Sequence, residues 1–135
     1  MRAKKKSFRI FIVDDDDSVR RGLERLMRSA GHRPHAFENA ERALRALDHE
    51  PPDCILLDLT MPGLGGLQFQ EVLRRDQARI PVIAVSARDD DDARQRSRDL
   101  GAKLFLRKPV DDQALLDAID WVTNADSSGP NHSAA

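Results

Sequence analysis

The chain has one cysteine, no long apolar run and almost no charge imbalance, and each shortage removes a class of protein. The lone Cys54 cannot form an internal disulfide, so the fold is not disulfide-stapled and suits a reducing compartment. Its place inside an apolar run reads as packing rather than reactivity. No apolar stretch approaches the roughly 20 residues that cross a bilayer, and Met1 to Arg9 lacks the apolar segment of a secretory signal. A cytoplasmic protein with no membrane partner is expected. The 22 Lys and Arg nearly cancel the 23 Asp and Glu, so no global field draws the chain to nucleic acid or membrane. Any electrostatic site must be local. With 135 residues there is room for one domain with a real core, and not for two.

What is present is organised around Ile55-Leu56-Leu57-Asp58-Leu59-Thr60-Met61-Pro62-Gly63. The apolar run before Asp58 reads as a strand buried on both faces, the mark of a parallel sheet covered by helices. Functional groups of open α/β sheets sit at the carboxyl ends of such strands, which singles out Asp58. Phe8 to Val13 is a second strand, halted by Asp14-Asp15-Asp16-Asp17. A helix follows, with Val19, Leu23, Leu26, Met27 and Ala30 at helical spacing, Asp17 or Ser18 as its cap and Gly31 as its stop. His32 to Phe37 is a weaker strand, and Asn39 caps a helix with Ala40, Ala43, Leu44 and Leu47 on one face. Leu67 to Arg75 is a helix with Leu67, Val72 and Leu73 inward. Ile80 to Val85 is a strand ending at Ser86, and Lys103 to Leu106 is another, ending at Arg107-Lys108-Pro109. An amphipathic helix then runs from Asp111 to about Val122. The segment from Asp89 to Asp99 has almost no apolar face, so a loosely held helix is expected there.

Five alternations of strand and helix predict a parallel sheet with helices on both faces and right-handed crossovers. Residues 1–7 read as a flexible basic arm, 8–123 as the folded domain and 124–135 as a disordered polar tail. The tail could equally be a linker stub of a longer protein. The sheet would bring Asp14, Asp15, Asp58, Ser86 and Lys108 to one edge. Clustered carboxylates demand a counter-charge, and a hard divalent ion such as Mg²⁺ supplies it, with Asp15 and Asp58 as direct ligands. A hydroxyl and an ammonium opposite them suit the oxygens of a transferred phosphoryl group.

Val13-Asp14-Asp15, Leu57-Asp58-Leu59-Thr60-Met61-Pro62-Gly63, Ala84-Val85-Ser86-Ala87 and Leu106-Arg107-Lys108-Pro109, in that order at successive strand ends, resemble the receiver domain of two-component response regulators. The resemblance implies a flavodoxin-like, doubly wound sheet of five strands in the order 2-1-3-4-5 with five helices. It implies that Asp58 is the phosphoacceptor, charged by a sensor histidine kinase or phosphotransfer protein, and slowly by acetyl phosphate. Asp15, Asp58 and the Thr60 carbonyl are the implied Mg²⁺ ligands, with Asp14 acting mainly through metal-bound water. Lys108 and Ser86 would contact the phosphoryl group, and Phe105 is the implied switch aromatic, turning inward as Ser86 withdraws and reshaping the fourth-helix, fifth-strand and fifth-helix face. The bond between Lys108 and Pro109 is cis in this family.

Such a chain is a switch whose only chemistry is its own phosphorylation and dephosphorylation, not an enzyme. Its implied partners beyond the kinase are a downstream protein, or its own output domain if the chain is truncated. A phosphorylation-dependent homodimer also fits, and direct nucleic-acid contact by this domain does not. A haloacid-dehalogenase-type phosphatase would need a second Asp two residues after Asp58, where Thr60 stands. A receiver degraded to a binding surface finds no support in the full acidic set. Asp16, Asp17 and Asp89 to Asp92 read as capping and solvated residues. His32, His35, His49 and His132 lack ligand spacing and read as surface residues. Thr60 and Arg88 stand where the family tunes the lifetime of the acyl phosphate, and the polar fourth helix should be mobile until Asp58 is phosphorylated.

Overall fold

Alternate side chains of a strand face opposite sides of its sheet, and here both sides are apolar, so the inner strands feed two cores. The strands are β1 (Arg9–Val13), β2 (Arg33–Phe37), β3 (Cys54–Asp58), β4 (Val82–Ser86) and β5 (Leu104–Arg107). Alternating with them are helices α1 (Asp17–Ser29), α2 (Ala40–Leu47), α3 (Gly66–Arg75), α4 (Asp91–Asp99) and α5 (Asp112–Ser128). The computed structural model describes residues 6–61, 64–76, 79–87 and 91–128, with side chains to residue 124. Expectations placed on residues 1–5, Pro62, Gly63, Arg88, Asp89, Asp90 and 129–135 lie outside the described residues.

All strands pair in parallel, in the order β2-β1-β3-β4-β5, as the resemblance implies. Ile10, Ile12, Cys54 and Leu56 face one side with Met27 of α1 and Leu115, Ile119 and Val122 of α5. Phe11, Val13, Ile55 and Leu57 face the other with Ala40 and Ala43 of α2 and Phe69 and Leu73 of α3. Burial of Cys54 pushes its thiol up to about 12 from the ordinary 9.0. Unfolded chain therefore ionises this thiol first, and its contribution to stability is lost as pH rises from about 9 toward 12. Iodoacetamide at pH 8 is expected to label Cys54 only in denaturant. Rapid labelling of the folded chain would contradict this.

The structure corrects several local expectations. Strand ends differ by one or two residues, and α5 continues to Ser128 rather than stopping near Val122. Of the capping candidates Asp16, Asp17 and Ser18, it is Asp16 that caps α1, its Oδ1 accepting from the Val19 amide at 3.1 Å. The reason is a tighter turn, because Asp14 Oδ1 already accepts from the Asp16 amide at 2.9 Å. Asn39 caps α2 as expected, accepting from the Arg42 amide at 2.9 Å. Gly31 ends α1 with φ of 88°, a left-handed conformation that suits glycine. His32 is buried rather than on the surface, its Nδ1 accepting from the Phe8 amide at 3.2 Å. His35 and His49 are exposed, and His132 lies outside the described residues.

The inward face of α3 is Gly66, Phe69, Gln70 and Leu73, whereas Leu67 and Val72 lie half-buried at its margins. Gln70 explains how the polar α4 is held. Its Nε2 donates to the Ser97 carbonyl at 3.1 Å, and the Ser97 hydroxyl donates to its Oε1 at 2.7 Å, with both residues buried. Polar pairing thus pins the later half of α4, where apolar packing was expected to be missing. Ser97→Ala would leave a buried carbonyl oxygen without its hydroxyl donor, and the expected cost is about 1–2 kcal/mol. Amide exchange in α4 should accelerate, and unchanged exchange there would show that the pair does not hold the helix.

Candidate functional site

Register brings the acids together. Val13 pairs with Leu57 across β1 and β3, so Asp14 and Asp58 emerge side by side at the carboxyl edge of the sheet. Asp58 pairs with Val85 across β3 and β4, which sets Ser86 one step beyond it. The Lys108 amide donates to the Ser86 carbonyl at 2.9 Å, tying the loop after β5 to the end of β4. The peptide bond from Lys108 to Pro109 is cis, as the resemblance implies.

Asp14 and Asp58 are buried, with 3% and 4% of their surface exposed, while Asp15 is exposed. Lys108 Nζ lies 3.0 Å from Asp14 Oδ2 and 3.4 Å from Asp58 Oδ2. Asp58 Oδ1 accepts from both the Thr60 amide at 2.9 Å and the Thr60 hydroxyl at 2.8 Å. One oxygen of Asp58 is therefore occupied by local donors and the other faces the ammonium. Burial raises Asp14 above the ordinary carboxylate range, outweighing the Asp16 amide and Lys108, which act the other way; the Asp58 charge adds to the rise. Burial alone would lower Lys108, but its hydrogen bond to Asp14 and the charges of Asp58 and Asp14 outweigh it and raise the ammonium.

Single oxygens of Asp14, Asp15 and Asp58 lie within 4.8 Å of one another. An all-oxygen set with excess negative charge, one member open to solvent, fits a hard divalent cation better than a soft one. Beside it, a cavity of about 520 Å³ is lined by Asp14, Asp58 and Lys108 together with Val19 and Leu23 of α1 and Leu115 of α5.

The structure thus gathers Asp14, Asp15, Asp58, Thr60 and Lys108, with Ser86, itself buried, at the adjoining strand end. Phe105 is not among them. It stands half-buried on β5 with the Arg94 guanidinium of α4 5.1 Å from its ring centre. Two features escaped the sequence reading. Arg20 donates to the Asp14 carbonyl at 2.7 Å and pairs with Asp17, buttressing the acidic turn from the next helical turn. The second is the Thr60 hydroxyl bond to Asp58. Nothing in the spacing of Arg20 marks it, whereas a hydroxyl two residues past a strand-end Asp was a usable signal.

The sequence profile of the response regulator receiver domain matches residues 10–120. Nodulation protein W of Bradyrhizobium diazoefficiens is 39% identical over 117 residues, covering 87% of this chain and 52% of that protein. Protein PilH of Pseudomonas aeruginosa is 35% identical over 84% of this chain and 96% of its own length. The solved structure of chemotaxis protein CheY4 of Vibrio cholerae superposes with a TM-score of 0.81 at 23% identity, covering 87% of this chain and 99% of that one, and shows the same fold. The chain therefore spans about half the length of Nodulation protein W and only 22% of the NtrC regulator of Proteus hauseri. With a profile match across most of its length laid over this sheet order and this acidic edge, the chain belongs to the response regulator receiver domain family, the phosphorylation-activated receivers of two-component signalling.

Proposed function

We propose that Asp58 is the phosphoacceptor of this receiver, that residues 8–123 form the unit carrying the switch, and that its donor is a sensor histidine kinase or phosphotransfer protein. The observation that carries the reading is a buried Asp58 carboxylate with an ammonium 3.4 Å from one oxygen and two further acids beside it. In the transfer, an Asp58 oxygen attacks phosphorus, the P–N bond to the donor histidine breaks, and the imidazole keeps the electron pair and takes up a proton. Lys108 neutralises the phosphoryl oxygens as they arrive. The Ser86 hydroxyl donates to one of them after transfer, and Phe105 turns inward into the space that Ser86 leaves. The half-buried place of Phe105 on β5 supports that role.

Asp14, Asp15, Asp58 and the Thr60 carbonyl are the groups that would hold Mg²⁺, the ion that receiver domains generally bind at such an acidic pocket. When bound, it supplies positive charge against the three carboxylates and the phosphoryl oxygens. Reaction is confined to this aspartate, with no turnover of external esters. The switched face of α4, β5 and α5 then meets a downstream protein, an output domain or a second copy. The Thr60 hydroxyl, bonded to Asp58 at rest, is placed to tune the phosphoryl lifetime; its expected companion Arg88 lies outside the described residues.

Intact-mass analysis after treatment with acetyl phosphate and Mg²⁺ should show a base-labile gain of about 80 Da, one phosphoryl group. The gain should be absent in Asp58→Asn. An adduct of the same size in that variant, or none in the native chain, would refute the assignment.

A further inference from the structure

Every polar atom of Asp14 is engaged. Its amide donates to the Phe37 carbonyl at 3.2 Å, its carboxylate accepts from the Asp16 amide and from Lys108, and its own carbonyl accepts from Arg20 Nη1 at 2.7 Å. Asp15 is the opposite case. Its side chain is exposed and accepts no hydrogen bond among the described residues, yet one of its oxygens lies within 4.8 Å of oxygens of Asp14 and Asp58. Only the backbone can aim it. The rigid peptide unit that joins Asp14 to Asp15 carries that task, because its plane fixes the direction in which the Asp15 side chain leaves the turn.

The carbonyl of that unit is the atom Arg20 holds. Only 14% of the Arg20 side chain is exposed, and it stands four residues after the cap of α1, where a cation gains nothing from the helix dipole. Its guanidinium instead joins two acceptors, the Asp14 carbonyl through Nη1 and the Asp17 carboxylate through Nη2. A planar fork with donors on separate nitrogens spans both, and a lysine ammonium does not reproduce that geometry. The pair with Asp17, three residues back on the same helix face, anchors the fork.

We propose that Arg20 is a positioning residue of the phosphorylation site: by clamping the Asp14 carbonyl it fixes the peptide between the two acids and so sets how well Asp15 is placed for a divalent cation. That role rests on the reading of Asp14, Asp15 and Asp58 as the Mg²⁺ set, and assigns the affinity of the set to a residue that is not one of its ligands. Charge and position pull in opposite directions here. A guanidinium near the acidic turn repels an incoming cation, so if charge alone mattered its removal should tighten metal binding. If it acts by position, removal weakens binding.

Calorimetric titration of the unphosphorylated chain with MgCl₂ separates the two. Arg20→Gln should weaken binding by about tenfold, the lower end of what losing a ligand's supporting hydrogen bond costs, and Arg20→Lys, which keeps the charge without the fork, by about threefold. Arg21→Gln is the control, since Arg21 is exposed and carries the same charge one residue on, with Asp17 as its ion-pair partner. It should leave the affinity unchanged or slightly tighter. In acetyl-phosphate labelling of Asp58, the Mg²⁺ concentration at half-maximal rate should rise in Arg20→Gln by the same factor, with the native rate regained at saturating Mg²⁺. A rate that saturating Mg²⁺ does not restore, alongside a lowered urea midpoint without metal, would show a general loosening of the fold and overturn the proposal. Unchanged or tighter Mg²⁺ binding in both Arg20 variants, or a loss as large in Arg21→Gln, overturns the clamp while the native adduct leaves the phosphorylation reading standing. A native chain with neither bound Mg²⁺ nor adduct sinks the phosphorylation reading and the clamp with it.

Discussion

Gly66→Ala is expected to destabilise the fold by about 2 kcal/mol, although alanine is ordinarily the better helix residue by about 1 kcal/mol. A Cβ on Gly66 would lie 2.8 Å from the Asp58 carbonyl oxygen and 2.8 Å from Leu59 Cα, with Leu59 Cδ2 at 2.9 Å. Two of these three atoms are backbone and cannot rotate away. Either α3 backs off the sheet, opening the core around Phe69, or the turn after β3 moves and carries Asp58 with it. Gly66→Val should cost still more and slow phosphorylation of Asp58. Gly22→Ala is the matched comparison, because it lies within α1 and its Cβ would meet nothing within 4 Å. That change should gain up to about 1 kcal/mol. Urea denaturation of both variants decides the matter, and equal shifts of the same sign would show that the close approach at Gly66 carries no weight.

Lys108→Met is expected to lower stability at pH 7 by about 2 kcal/mol in the absence of divalent ions. Removing one partner of a fully buried pair costs about 3–5 kcal/mol, and the figure here is smaller because 22% of the Lys108 side chain remains in solvent. What remains is two carboxylates, each with about a twentieth or less of its side chain exposed, facing one another without the ammonium that joined them. The sign with pH follows from Asp14. Its folded-state value already lies above the ordinary 3.8, so the folded chain holds a proton that the unfolded chain releases. Stability therefore falls as pH rises through that interval, and loss of Lys108 pushes Asp14 further in the same direction. The deficit of the variant should be largest at neutral pH and shrink toward pH 4. Millimolar Mg²⁺, bound by the folded acids alone, should recover part of it. A variant as stable as the native chain at pH 7 without metal would show that the ammonium does not compensate the acids.

Those two positions differ in how much of them could be read in advance. Lys108 was visible because it follows an apolar run at a strand end and, with the other strand ends, carried the family resemblance. Gly66 carries no such mark, since close approach of two backbones leaves no pattern along one of them. The same limit explains α3. Ranking residues by hydrophobicity put Leu67 and Val72 inward, whereas the buried face is the spacing 66, 69, 70, 73, two of whose members, Gly66 and Gln70, are not apolar. Gln70 is inward because Ser97 of α4 meets it, a contact 27 residues distant that neither helix announces. His32 was misjudged for a related reason, as its burial depends on the amide and ring of Phe8, the residue just before β1.

The amino-acid sequence by itself determined the alternation of strands and helices and the strand ends where Asp14, Asp15, Asp58, Ser86 and Lys108 emerge. Those properties follow from periodicity and chain punctuation, which are local. Only the tertiary structure decided that Lys108 bridges Asp14 and Asp58 across 94 and 50 residues, and that four cations and an aromatic ring share a groove beside β5. Polar contacts between distant elements act over a few ångströms. Whether two groups come that close is set by register and packing, not by either group's neighbours in the chain.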